Sequence, residues 1–136
     1  MKTFDVQSVE IDAPPDVVFD YLARPETLPE WTRAFLEVRG GRATMATPNG
    51  RVEVELTIEA ARAQRTVDWF MRFPDGSRGR AHSRVVPGAQ GRSIYSFVLM
   101  APPVPLERLE GALDAQSRTL ARELEELRAR LAGRNL

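Results

Sequence analysis

From Phe35 to Met100 the chain alternates apolar and polar residues with a period of two, interrupted only by short runs rich in Pro, Gly, Asn and Asp. The clearest run is Arg51 to Glu59, where Val52, Val54, Leu56 and Ile58 alternate with Glu53, Glu55, Thr57 and Glu59. Successive side chains of a strand point to opposite faces, so this spacing gives one apolar face and one wet face. Five strands can be counted, at about 35–46, 51–60, 65–73, 78–86 and 92–100. TPNG at 47–50 marks a hairpin between the first two, and Pro74 to Gly76 and Pro87 to Gly91 divide the later ones. Parallel pairing needs crossover helices, and the sequence between these strands has none, so an antiparallel meander follows.

A sheet with one apolar face needs a cover, and the C-terminal segment supplies the only large one. Pro102, Pro103 and Pro105 end the last strand and open a helix that runs to about Leu131. Leu106, Leu109, Leu113, Leu120, Leu124, Leu127 and Leu131 fall on one stripe. Arg128, Arg130 and Arg134 suit the negative end of the helix dipole, and Gly133 is a stop. The stripe has heptad-like spacing, but the sheet needs it more than a coiled-coil partner does. It also has a gap, where Gln116 and Ser117 stand in place of leucine, flanked by Gly111, Ala112 and Ala115. Small and polar residues there predict space under the helix.

At the other end Phe4, Val6, Val9 and Ile11 alternate with polar residues, apart from a slip at Gln7 and Ser8 that predicts a bulged strand. Prolines 14, 15, 25 and 29 then punctuate the chain before Trp31. Pro14 and Pro15 suit a helix start, with Asp16 at the positive end of the dipole. Val17, Val18, Tyr21 and Leu22 form the apolar side of that helix, with Phe19 near its edge. Arg24 precedes Pro25 and is pushed out of the helical region, so the helix ends there. Pro25, Glu26 and Thr27 open a second short helix carrying Leu28 and Trp31. The prediction is an α+β chain: a six- to seven-stranded antiparallel sheet wrapped around a long C-terminal helix, with two short helices after the first strand.

Composition narrows the chemistry. A chain of 136 residues, 43% of them hydrophobic, suits one domain over 1–136. It has no cysteine, which excludes disulfides and a thiol nucleophile, and His82 is the sole histidine, which argues against a metal. Nothing in the sequence calls for a cofactor. The 19 basic and 19 acidic residues cancel, without the basic footprint of a nucleic-acid binder. All but Lys2 of the basic residues are arginine, which a GC-rich genome explains more simply than phosphate recognition. The charged, alternating start does not read as a signal peptide, and no apolar run approaches the roughly 20 residues of a membrane span. A cytoplasmic location is expected.

The passage VEIDAPPDVVFDYLARPETLPEW, followed by a hairpin and a leucine-rich final helix, resembles the START-related SRPBCC superfamily. This superfamily holds the polyketide cyclase/dehydratase and lipid-transport proteins and the plant pollen allergens, and its fold is called helix-grip. Ile11, Ala13, Pro14, Val18 and Phe19 match its I-x-A-P-x-x-V-(F/W) passage. The resemblance implies a deep cavity between sheet and long helix, entered near the two short helices. The same fold hosts carriers, cyclases, ring-hydroxylase subunits and chaperone cofactors, so the resemblance speaks for fold more than for function.

The alternation selects the residues that would line such a cavity. Met45 and Ala43 should share a face with Val52, Val54, Leu56 and Ile58. Val67, Trp69, Met71 and Phe73 form the apolar set on the next strand, then Ala81, Ser83 and Val85, then Tyr95, Phe97 and Leu99. Candidate ligand contacts are therefore Met45, Val54, Leu56, Trp69, Met71, Ser83, Tyr95 and Phe97, with Ala112 and Gln116 from the helix and Tyr21 and Trp31 at the rim. Trp69 reads equally well as core packing. Arg33 is a further rim residue, solvated by default. Tyr95 is the first candidate for a catalytic hydroxyl. Arg80, His82 and Arg84 fall outside in this register, whereas the opposite register would place His82 and Arg84 inside as a base beside a cation.

These residues predict a binder of a small hydrophobic ligand of lipid, polyketide or aromatic type, acting as monomer or homodimer without nucleic acid. A polyketide aromatase/cyclase-like enzyme and a protein-interaction module of the same fold are the alternatives. An enzyme would need an acid and a base in the cavity, and the inward set supplies mainly Tyr95, Ser83, Gln116 and Ser117.

Overall fold

The computed structural model describes residues 2–102, 104 and 106–135, excepting the side chains of 106–110. Strand β1 (Phe4–Ile11) leads to helix α1 (Pro15–Ala23), a 3-10 turn at Pro25–Thr27 and the short helix α2 (Leu28–Trp31). Strands β2 (Phe35–Arg39), β3 (Arg42–Thr47), β4 (Gly50–Ala61), β5 (Thr66–Arg72), β6 (Arg78–Pro87) and β7 (Ser93–Met100) follow, and helix α3 (Leu106–Leu131) closes the chain. All pairings are antiparallel, in one sheet of order β1-β7-β6-β5-β4-β3-β2. The result is the helix-grip α+β architecture.

The local rules explain the boundaries. Pro14 caps α1 in an extended conformation (φ −62°, ψ 150°) and Pro15 is its first residue. Arg24 is extended (φ −88°, ψ 115°), as the following proline requires. Phe19, placed near the edge by spacing, is buried together with Val18, Tyr21 and Leu22, while Val17 is half-buried.

The structure corrects three expectations. The single strand expected at 35–46 is two, because Gly40 and Gly41 turn the chain with φ of 41° and 80°, a region that suits glycine. There are thus six strands, not five, between Phe35 and Met100. No bulge interrupts β1: it pairs with β7 residue for residue, from Phe4 opposite Met100 to Ile11 opposite Ser93. The inward set is consequently Asp5, Gln7, Val9 and Ile11, while Phe4 and Val6 lie outside at 47% and 52% exposure. Finally, the gap in the helical stripe is filled by half-buried Ser117 alone. Gln116 is exposed on its flank, since steps of four and three from Leu113 lead through Ser117 to Leu120. Leu106 and Leu109 of the stripe lie outside the described side chains, and Pro103 and Pro105 outside the described residues.

Helix α3 spans the sheet from one edge strand toward the other. At the β1 edge Gln7 Nε2 donates to Ser117 O (2.8 Å), and at the β2 side Arg33 N donates to Glu123 Oε2 (2.6 Å). Gly133 N donates to Asp12 O (2.8 Å) and pins the C-terminal end. Leu120, Leu124, Leu127 and Leu131 fill the space between. At the end of the sheet holding the β4–β5 turn, Arg62 and Arg65 pair with Asp20 and Asp16 and hold α1 in place (2.5 Å and 2.8 Å). Among the described residues no helix is long and apolar enough to cross a membrane.

Candidate functional site

Register decides what meets on the inner face. One cross-strand row reads Asp5, Leu99, Ala81, Trp69, Ile58, and the next reads Gln7, Phe97, Ser83, Val67. Tyr95 lies between Val9 and Val85 in the row beyond. Small Ala81 and Ser83 on β6 leave the aromatic rings of the flanking strands free to meet. Trp69 stacks on Phe97 with ring centres 5.6 Å apart, and Tyr95 meets the same ring nearly edge-on at 6.2 Å.

Two kinds of buried polar group sit in this core. The hydroxyls of Thr27, Ser83 and Ser93 all have backbone acceptors: Ser83 Oγ donates to Val67 O (2.7 Å), Ser93 Oγ to Ala13 O (2.6 Å) and Thr27 Oγ1 to Arg24 O (2.8 Å). Trp31 Nε1 and Trp69 Nε1 are enclosed without a hydrogen-bond partner, and the enclosed Tyr95 Oη has only a weak contact with the Ser83 side chain. Each unmade bond costs on the order of 1–3 kcal/mol, so the two unpaired indoles are an expensive arrangement. Full enclosure pushes the Tyr95 phenol well above its usual ionisation range, Ser83 draws it back and the Asp68 charge adds to the rise. It therefore stays protonated.

Burial is uneven across the inner face. Toward α1 the residues are sealed. At the other end, beside the turns at 47–50 and 73–77, Met45, Val52, Met71, Phe73 and Leu99 face inward yet stay partly exposed. Val54 and Leu56 form the buried floor next to them, at 1% and 5% exposure. The inner face is thus least covered on the side away from α1.

The remaining candidates fall as follows. Tyr21 is buried, but its hydroxyl turns away from the sheet and donates to Glu30 Oε1 (2.8 Å). Burial first, and then Glu30, push that phenol up to about 12. Its ring lies between Arg24 and Arg134 (5.9 and 5.7 Å), in an outer groove of about 680 Å³ that Asp20 and Arg62 also line. Trp31 is enclosed in the core, Ala112 is half-buried and Gln116 is exposed. Arg33 has an exposed side chain, and it is its backbone N–H that binds Glu123. His82 and Arg84 stand on the outer face, so the register that would make them an interior base and cation is not adopted. His82 Nδ1 lies 3.0 Å from Asp68 Oδ1, Arg80 Nη1 is 3.3 Å from its Nε2, and Arg84 Nε donates to Gln64 O (3.2 Å).

Sequence reasoning passed over Asp5, Gln7 and Glu123. Gln7 Nε2 bonds Asp5 Oδ2 (2.9 Å) as well as Ser117 O, which puts a polar bridge under α3 where an apolar contact was expected. That hydrogen bond is the main cause lowering the Asp5 carboxyl, against the opposing effect of burial. The slip at Gln7 and Ser8 was the visible trace of this bridge. Burial raises the Glu123 carboxyl, and the N–H groups of Arg33 and Ala34 oppose the rise.

The model of the family described as polyketide cyclase / dehydrase and lipid transport matches residues 5–132. No curated protein sequence matches the chain. Among solved structures, a START superfamily protein from Mycobacterium smegmatis aligns with a TM-score of 0.71 and 14% identity, covering 96% of this chain and 100% of that one. The Zhui aromatase/cyclase from Streptomyces sp. R1128 aligns at 0.63 and 12%, over 94% and 92% of the two chains. The di-domain aromatase/cyclase BexL of the BE-7585A biosynthetic pathway aligns at 0.68 and 18%, over 95% of this chain and 46% of that one. At such identities these likenesses speak for the fold alone. A family match that runs from the first strand to the end of α3 makes the chain a member of the polyketide cyclase / dehydrase and lipid transport family.

Proposed function

We propose that this chain binds a small, mainly apolar molecule between the inner face of the sheet and α3. The observation that carries the reading is the partly exposed patch of Met45, Val52, Met71, Phe73 and Leu99, all facing the helix side and continuous with the sealed core. Apolar surface left open inside a concave fold is the usual lining of a ligand pocket. Met71 is well suited to adapt its shape to an occupant. The family and the aromatase/cyclases of the same fold support an aromatic or polyketide-like molecule, and lipid is the other class the family description names.

The test is titration with N-phenyl-1-naphthylamine, a neutral probe whose fluorescence rises in apolar surroundings. Binding should weaken at least tenfold in Val52→Lys and Met71→Lys, with far-UV circular dichroism unchanged, since both positions lie at the opening rather than in the sealed core. Equal affinity in both variants would locate the probe elsewhere and remove the reading.

A further inference from the structure

We infer that the outer face of the sheet carries a separate binding site, for a phosphate monoester on a flat apolar body, held by Arg72, Arg78 and Arg80. Alternation turns these three outward, since Met71 on β5 and Ala81 and Ser83 on β6 face inward. Register then sets Arg72 directly opposite Arg78, and Arg80 directly opposite Phe70. Like charges facing each other across two strands repel, and an anion between them turns that repulsion into attraction. Among the described residues none of the three has a carboxylate within ion-pair distance, whereas Arg39 and Arg42 on β2 and β3 have Glu37 and Glu53 at 3.1 and 3.6 Å. Arg80 reaches only the ring of His82, whose own acid is Asp68. The three arginines line a groove of about 710 Å³ together with Glu55 and the half-buried Phe70 and Met100. Glu55 stands opposite Arg72 but forms no ion pair with it. Three guanidinium groups against one carboxylate leave a surplus of two positive charges, which matches the dianion of a phosphate monoester better than a single carboxylate. Phe70 and Met100 supply apolar surface beside those charges, and an aromatic body suits both a phenyl ring and a thioether. The groove lies across the sheet from the inner face, so the inference stands independently of the reading above.

The experiment is isothermal titration of the full chain with 1-naphthyl phosphate and with inorganic phosphate, at low ionic strength and above pH 7, where the monoester is a dianion. The expected result is that 1-naphthyl phosphate binds roughly tenfold tighter than inorganic phosphate, and that its affinity falls as salt is added. Arg72→Gln and Arg78→Gln should each weaken it roughly tenfold, the loss of one charge-assisted hydrogen bond. Glu55→Gln should strengthen it, because the only carboxylate among the groove's lining residues is then gone. Arg51→Gln is the control: it removes the same charge from β4, outside the groove, and should leave the affinity within about twofold. All four side chains are exposed, so circular dichroism should show every variant folded. No binding of 1-naphthyl phosphate, or unchanged binding in both Arg72→Gln and Arg78→Gln, would overturn the inference. Equal weakening in Arg51→Gln would overturn it as well, by reducing the effect to net charge. Equal affinity for 1-naphthyl phosphate and inorganic phosphate would remove the apolar body from the class of ligand and overturn the inference in that form. Each of these results leaves the inner-face reading untouched.

Discussion

Glu123 and Asp5 show opposite ways of placing a carboxylate under a helix. Burial raises Glu123 above its ordinary value of 4.5, so between that value and the raised one the native state holds more protons than the unfolded chain. Its contribution to stability is present below 4.5 and is lost as pH rises through the raised value. Asp5, lowered mainly by Gln7, behaves in reverse: its contribution is present above 3.8 and is lost as pH falls. Urea unfolding from pH 3 to pH 7 should therefore show the wild-type minus Glu123→Gln difference falling with rising pH, and the wild-type minus Asp5→Asn difference rising with it. A flat difference in either case would mean that the carboxylate does not sit where these contacts hold it. Residues of this kind were poorly legible in the sequence, because the burial of Glu123 and the tie that holds Gln7 to Ser117 are made by segments far along the chain. Tyr95 was legible as an inward residue from alternation alone, but its closeness to the Ser83 side chain was not.

At the level of elements, β1 is the informative case. Its apolar residues suggest Phe4, Val6, Val9 and Ile11 on one face, reconciled by a bulge. The unbroken pairing with β7 instead turns Phe4 and Val6 outward, and Asp5 and Gln7 occupy the inner face because the carbonyl of Ser117 on α3 satisfies Gln7. Phe4→Ser and Val6→Thr should change stability by less than about 0.5 kcal/mol. Ile11→Ala, which empties a completely buried site, should cost about 2–5 kcal/mol. Comparable costs at Phe4 and Ile11 would restore the bulged register. The other strands were read more reliably. Where both neighbours are strands and one face is covered, a slip of one residue would expose the whole apolar set, so alternation and register agree. An edge strand covered by a helix terminus is less constrained, and one polar contact can decide its facing.

For the whole molecule we expect a single cooperative unit, because α3 touches one edge strand and reaches the segment leading into the other. Urea transitions followed by tryptophan fluorescence and by circular dichroism should coincide, whereas separated transitions would divide the chain into parts. A guest on the inner face should stabilise this unit. At a free concentration of 100 times its Kd, the gain is about 2.7 kcal/mol, enough to raise the Tm by several degrees.

The sequence by itself determined the antiparallel sheet, the in-and-out sets of the inner strands, the proline-framed helices and the leucine cover, since each depends on periodicity or on the φ/ψ limits of single residues. Tertiary structure alone decided the facing of β1, the pairing of the Tyr21 hydroxyl with Glu30, the polar ties that hold α3 between the sheet edges and the isolation of the Trp31 and Trp69 indole N–H groups. Periodicity says which face a side chain takes, but a hydrogen bond is made or missed according to which distant atom the fold brings within about 3 Å of it.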